Sequence, residues 1–212
     1  MACPICQKRK PERLCPAKGE TICAVCCGTE REVTIDCPSD CTYLHRARRQ
    51  DAANQKPIAW KDMPMGDVRI PPDLVEERRD LVAGLSLSLL EFTQQNPSTN
   101  DADAAAAFAA LAETYRTLTS GLYYEKPPEG GLQRALYGHL TQLLEKFKKD
   151  SAEAAGFPAI KDSEVFPILV FFLRFNKARA NARPRSRAFL DFLRSQFPQT
   201  AAAAEPPRIV LP

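Results

Sequence analysis

The sequence predicts a small cysteine-rich N-terminal module followed by an all-α helical bundle. All eight cysteines of the 212-residue chain lie within its first 41 residues. Beyond residue 72, in contrast, apolar residues recur at steps of three and four, the period of an amphipathic helix. Four prolines separate the two regions. We therefore expect a cysteine-rich module over residues 1–53, a proline-rich linker over 54–72, a five-helix bundle over 73–197 and a disordered tail over 198–212.

The spacing of the cysteines predicts a metal site. Cys3-Pro-Ile-Cys6 and Cys23-Ala-Val-Cys26 are both C-x2-C pairs, a turn that directs two thiolates at one tetrahedral ion. Because no hydrophobic signal segment precedes Cys3, we expect a cytoplasmic, reducing environment. Zinc is therefore favoured over a disulfide framework and over an iron–sulfur or redox role. The fold class becomes a small zinc-stabilised module, of cross-brace or treble type, joined to a helical bundle.

The candidate ligands, eight cysteines and His45, suffice for two four-coordinate zinc ions with one residue left over. In an interleaved, cross-brace arrangement the first and third pairs of ligands share one ion, and the second and fourth pairs share the other. The first site then consists of Cys3, Cys6, Cys23 and Cys26. The second site draws on Cys15, Cys37, Cys41 and His45.

Two residues leave the second site open. A helix through residues 42–49 would bring Cys41 and His45, four positions apart, onto one face, although an exposed histidine at a helix start is the alternative. Cys27 can replace any member of the second site, but a small, half-buried thiol is the simpler expectation for it. Gly28 follows directly, where a tight turn often needs a positive φ.

The pattern Cys3-x2-Cys6-x8-Cys15-x7-Cys23-x2-Cys26 resembles the B-box zinc finger of tripartite-motif proteins, and the resemblance covers residues 3–45. Cys37, Cys41 and His45 stand where that family usually carries its last pair of histidines. The resemblance implies a cross-brace with two zinc ions and a role in protein–protein recognition. A ubiquitin-ligase finger and a long coiled coil usually accompany B-boxes, and because this chain shows neither, ligase activity is not expected.

Composition describes an ordinary soluble protein, with a net charge of +3. Residues 1–50 carry nine Lys/Arg and six Asp/Glu, a surplus that the thiolates of two zinc sites would cancel. A near-neutral module favours a protein partner over a polyanion. The most apolar run, Val165 to Leu173, is far shorter than the ~20 residues that span a bilayer, so no membrane association is expected.

Five helices are predicted after the linker, over residues 73–95, 101–122, 131–151, 162–181 and 184–196. The second has the clearest period, and its apolar stripe comprises Phe108, Leu111, Tyr115, Leu118 and Leu122. Asn100 or Asp101 is expected to cap it. The fourth is apolar nearly all round in its first half and should lie at the centre of the bundle. Trp60, in the linker, is expected to pack on a neighbouring domain.

One basic segment suggests a second kind of function. Six cations and no acid occur within fourteen residues, which suits contact with nucleic acid or another polyanion; they are Arg174, Lys177, Arg179, Arg183, Arg185 and Arg187. The alternative is a solvated helix end whose cations favour the helix carbonyl terminus. No enzyme motif is recognisable in the sequence, and surplus ligands favour closed, structural zinc sites. The sequence therefore predicts a non-catalytic zinc protein for protein recognition, with a nucleic-acid-binding regulator and a thiol redox sensor as alternatives.

Overall fold

A computed structural model describes residues 2–198 of the chain. Two short strands and eight α-helices lie in this part, together with one 3-10 turn at Trp60–Asp62. The elements in chain order are β1 (Arg13–Cys15), β2 (Glu20–Ile22), α1 (Ala24–Glu30), α2 (Thr42–Ala53), α3 (Leu74–Glu77), α4 (Arg79–Gln95), α5 (Asp101–Thr119), α6 (Gly131–Ala155), α7 (Asp162–Arg179) and α8 (Ala188–Gln196).

The N-terminal region is built on one antiparallel hairpin and two helices. Strand β1 pairs with β2 in the register Arg13 to Ile22 and Cys15 to Glu20. The turn between them closes when the N–H groups of Lys18 and Gly19 both donate to the carbonyl of Cys15. Gly19 has φ +66°, a left-handed conformation that glycine adopts without steric cost.

The helical region encloses one apolar core. Helix α7, predicted to be the central helix, packs against α5, α3 and α8, while α6 packs against α4 and α5. Helix α5 packs against α6, α7 and α8, so α5 and α7 together form the centre of the bundle. Phe108 of α5 and Phe172 of α7 stack with their ring centroids 4.9 Å apart. Both side chains are almost completely buried, and aromatic stacking adds to the free energy that their burial contributes.

Helix boundaries follow the predicted pattern, with two main differences. The first predicted helix is broken at Arg78 into α3 and α4, and the Arg78 guanidinium pairs with Glu164 of α7. Helix α5 is capped by Asn100, as expected, through a capping box with Asp103. It ends at Thr119, however, and Leu122, predicted to lie in the core, is 68% exposed.

The proline-rich linker lies against the bundle. Arg174 of α7 donates to the backbone carbonyls of Pro64, Met65 and Val68. Trp60, expected to pack on a neighbouring domain, contacts the bundle through the Arg174 guanidinium, 4.7 Å from its ring centroid, although its side chain is 62% exposed. A cation over an aromatic face is a favourable contact. The expected tail lies, apart from Pro198, outside the described residues. No helix between residues 2 and 198 has the length and apolarity needed to cross a membrane.

Candidate metal centre

Four cysteines converge at the N-terminal end of the chain. Their Sγ atoms all lie within 4.8 Å of one another, in one group made of Cys3, Cys6, Cys23 and Cys26. Cys3 and Cys6 belong to a turn in which the N–H of Gln7 donates to the carbonyl of Cys3, at 2.7 Å. Cys23 is the N-cap of α1, and Cys26 lies in its first turn. The two C-x2-C pairs that the sequence assigns to one ion are thus brought together.

The geometry of this group fits a tetrahedral zinc ion. Four sulfurs at the usual Zn–S distance of about 2.3 Å are separated by about 3.8 Å, and the Sγ atoms of Cys6 and Cys23 are 3.9 Å apart. Backbone N–H groups point at two of the sulfurs, from Cys23 to Cys3 Sγ at 3.3 Å and from Cys26 to Cys23 Sγ at 3.4 Å. Such donors stabilise thiolates and orient metal ligands.

The pKa values of the thiols in this group are shifted in opposite directions. The backbone N–H groups of Lys8 and Arg9 lower the pKa of the Cys6 thiol to about 6. Burial, followed by the neighbouring thiols, raises the pKa of Cys26 to about 12. Four thiolates this close repel one another, so a divalent cation is the natural counter-charge for full deprotonation. When bound, zinc supplies structural cross-linking of the two C-x2-C turns.

The remaining predicted ligands form no comparably tight group among residues 2–198. Cys15, at the end of β1, and Cys41, the N-cap of α2, are buried, whereas Cys27 and Cys37 are half-buried. These four residues nevertheless line one small cavity. His45 is exposed on α2 and does not line that cavity. The structure thus groups Cys27, rather than His45, with the remaining cysteines.

Most cations of the basic segment are engaged within the protein. Arg183 donates to the carbonyls of Gly28 and Arg31 in the N-terminal module. Arg187 pairs with Asp36 at 2.6 Å and donates to the carbonyls of Pro97 and Thr99. The Arg179 guanidinium lies 4.0 Å from the ring centroid of Phe192, and Arg174 holds the linker. Within residues 2–198, the side chains of Lys177 and Arg185 make no such hydrogen bond, ion pair or ring contact. The Arg185 backbone N–H, in contrast, donates to the Glu32 carbonyl.

A buried polar network joins the module to the bundle, and sequence reasoning missed it. The carboxylate of Glu32, 1% exposed, accepts from Arg48 of α2 and from Asn181, each at 2.6 Å. Arg48 also reaches Asp191 of α8 at 2.6 Å. Burial lowers the pKa of Arg48, but the hydrogen bonds to Asp191 and Glu32 outweigh it, so the net pKa is raised. No short-range signal could have found partners up to 149 residues apart.

Comparisons with family models, with curated proteins and with solved structures give no match to this chain, so its function has to be argued from its own residues.

Proposed function

We propose that the chain is a non-catalytic, cytoplasmic zinc protein whose N-terminal module serves protein–protein recognition and holds two ions. The observation that carries the proposal is the group of four sulfurs at tetrahedral spacing. A site closed by four thiolates leaves no coordination position for substrate, so its zinc is structural. A module of about fifty residues buries little apolar surface and is marginal on its own, and metal binding would add to its folding free energy.

Exposed apolar side chains on the module support a protein partner. Leu14 on β1 is 64% exposed, Val25 on α1 is 48% exposed and Val33 is 38% exposed. Apolar side chains kept in solvent on a small module with little net charge suit contact with another protein. The resemblance of residues 3–45 to a B-box points in the same direction.

The metal part of the proposal is tested by native mass spectrometry of the full chain, with and without a strong chelator. We expect bound zinc that the chelator removes, and at least one fewer zinc in Cys6→Ser than in the wild type. A metal-free wild type whose mass is low by two hydrogens per cysteine pair would overturn the proposal and identify disulfides instead.

The proposed role in protein–protein recognition is tested by crosslinking in the cells that make the protein. Quantitative mass spectrometry then measures which proteins are crosslinked to it. The test variant replaces Leu14, Val25 and Val33 with serine, and the matched control replaces exposed Leu87 and Phe157 of the bundle region with serine. We expect the same bound proteins with the wild type and the control, and their loss with the module variant. Equal recovery with the module variant would contradict recognition through these residues.

Nucleic-acid binding, the first alternative, would need cations free to meet phosphates. Four of the six cations in the basic segment are engaged internally, which favours the protein-recognition proposal over this one. Salt-dependent retention on heparin, lost on replacing Lys177 and Arg185 with alanine, would favour the alternative. The redox alternative predicts release of zinc and a new disulfide under mild peroxide.

A further inference from the structure

Four cysteines outside the first centre surround one cavity. The cavity has a volume of about 10 Å³, close to that of a single water-sized sphere, and therefore has room for one ion. Its sulfur-bearing lining comes from four separate places in the module: the end of β1, helix α1, the loop after residue 35 and the start of α2. These residues are Cys15, Cys27, Cys37 and Cys41.

We propose that these four cysteines bind a second zinc ion, with Cys27 as the fourth ligand in place of His45. The proposal rests on the two-ion module of the proposed function, and it adds the identity of the second set of ligands. The vicinal thiols Cys26 and Cys27 then serve different ions. Successive side chains on a helix diverge by about 100°, so α1 directs Cys26 to the first centre and Cys27 to the second.

Apolar neighbours make the cavity suitable for thiolate ligation. Ile22, Ile35 and Leu44 line it and are almost completely buried, with exposures of 0%, 3% and 0%. Among residues 2–198, no carboxylate and no histidine lines it, so the thiols are its available ligands. An apolar shell excludes water from a structural zinc site and strengthens its electrostatic interactions.

Two arginines supply the charge that a four-thiolate site needs. Zinc bound by four thiolates carries a formal charge of −2, and both Arg13 and Arg31 line the cavity. The Arg31 Nε–H is buried without a hydrogen-bond acceptor, which is costly for a charged group. A zinc-bound thiolate in this cavity would give it one.

The second centre differs from the first in how closely its sulfurs approach. Its thiols do not lie within the 4.8 Å that unites the first group, so metal binding has to draw them together. A change of cysteine rotamer moves Sγ by about 3 Å without moving the backbone, and both Cys27 and Cys37 are only half-buried and have room to turn. The first centre is therefore preformed, and the second closes on its ion.

His45 is placed where it cannot share this ion. It projects from α2 into an open surface depression that it lines with Thr42, Arg46 and Arg49, and no cysteine lines that depression. The helical spacing of Cys41 and His45 is real, since the His45 N–H donates to the Cys41 carbonyl at 3.0 Å. Cys41, however, is the N-cap and its side chain faces the cavity.

Native mass spectrometry of the full chain tests the assignment with a matched pair of variants. We expect two zinc ions in the wild type, two in His45→Ala and one in Cys27→Ser, with the helical circular dichroism of the bundle retained throughout. One zinc in His45→Ala, or two in Cys27→Ser, would overturn the assignment of Cys27. One zinc in the wild type would remove the second centre and leave the first, whereas none would overturn the proposed function itself.

X-ray absorption at the zinc edge gives a second test that needs no variant to fold. With Cys27 as ligand, every scatterer in the first coordination shell of both ions is sulfur at about 2.3 Å. An imidazole signal from one ligand in eight, at the shorter Zn–N distance of about 2.0 Å, would restore His45 and contradict the proposal.

Discussion

The N-terminal module and the helical bundle are stabilised by different means. The buried cluster of the bundle holds 25 residues, most of them Leu, Phe, Ile, Val or Ala. The buried cluster of the module holds six, of which four are cysteines and only Ile22 and Ile35 are aliphatic. Burial of apolar surface can stabilise the bundle, but Ile22, Ile35 and the buried Leu44 of α2 give a fifty-residue module little apolar burial. The comparison shows one chain with a large apolar core in one region and a cysteine group that could hold a metal ion in the other; under the proposed function, metal ligation stabilises the second region.

The largest expected effect comes from removing a ligand of the first centre. Cys3→Ser should unfold the module, because structural zinc contributes on the order of 10 kcal/mol to the folding of such modules, whereas the bundle keeps its own core. Hydrogen exchange followed by mass spectrometry should show lost protection over residues 2–45 and retained protection over α4 to α7. Equal loss of protection in both regions would show that the bundle also depends on the metal, and would contradict the conclusion that the two regions are stabilised by different means.

The second prediction concerns the core of the bundle, where the aromatic ring of Phe172 is removed while the cysteines of the module are kept. Phe172→Ala leaves a cavity beside Phe108 and should lower the free energy of unfolding by about 3–5 kcal/mol, with the zinc content unchanged. Urea unfolding and metal analysis on the same sample measure both quantities. Phe157→Ala, at a position that is 65% exposed, is the control and should change stability by less than about 0.5 kcal/mol.

A third variant tests the junction between the two regions. Arg48→Ala leaves the buried carboxylate of Glu32 and the half-buried carboxylate of Asp191 without their shared cation, and breaking such a pair should cost about 3 kcal/mol. Calorimetry should resolve two thermal transitions in the variant where the wild type gives one. Arg46→Ala, an exposed position on the same helix, should leave a single transition, and a single transition in both variants would show that the network does not couple the regions.

A smaller effect is expected at the start of α5. Asn100 accepts from the N–H groups of Ala102 and Asp103, and Asp103 accepts from the N–H of Asn100 in return. Asn100→Ala should lower the free energy of unfolding of the bundle by about 1 kcal/mol, while Asn100→Ser should restore most of it. Denaturant titrations of the two variants measure the difference.

The smallest expected effect is a dependence of bundle stability on pH through Asp101. Burial raises the pKa of its carboxyl above the usual value of 3.8, against the opposing hydrogen bonds from Ser186, Phe189 and Leu190. The folded protein then keeps a proton that the unfolded chain has released, so this group's contribution falls as pH rises above about 4. Asp101→Asn should lack that decline when urea midpoints are compared from pH 4 to pH 6, and parallel pH profiles would contradict the assignment.

Local signals in the sequence predicted much of the fold. The two C-x2-C pairs identify the first metal group because thiols three positions apart are brought together by a single turn. The period of α5 and its Asn100 cap are equally local. The extension of that stripe to Leu122 was wrong, because the helix ends at Thr119 and the period alone does not mark that end.

What depends on distant partners could not be predicted. In the sequence, Arg183 and Arg187 belong to a basic segment that suggests cations exposed to solvent. Only the fold shows that Arg183 donates to carbonyls, and Arg187 to an aspartate, of the N-terminal module. Glu32 carries no sign of burial in its local sequence. The choice between Cys27 and His45 as the fourth ligand of the second site also depends on distant residues. Spacing along α2 favours the histidine, whereas the cavity is assembled from four separate segments of the chain.

The contacts of Ser39 and Arg48 with Asp191 constrain the order in which the chain acquires its structure. These contacts join residues 152 and 143 positions apart. At a synthesis rate of about 5–20 residues per second, roughly 7–30 s separate the appearance of Arg48 from that of Asp191. The first centre has all four thiols once Cys26 has been added. Under the proposed function, metal can therefore be captured on the ribosome before Asp191 exists. Arg48 can pair with Glu32 as soon as both have been made, whereas its second partner appears only with α8.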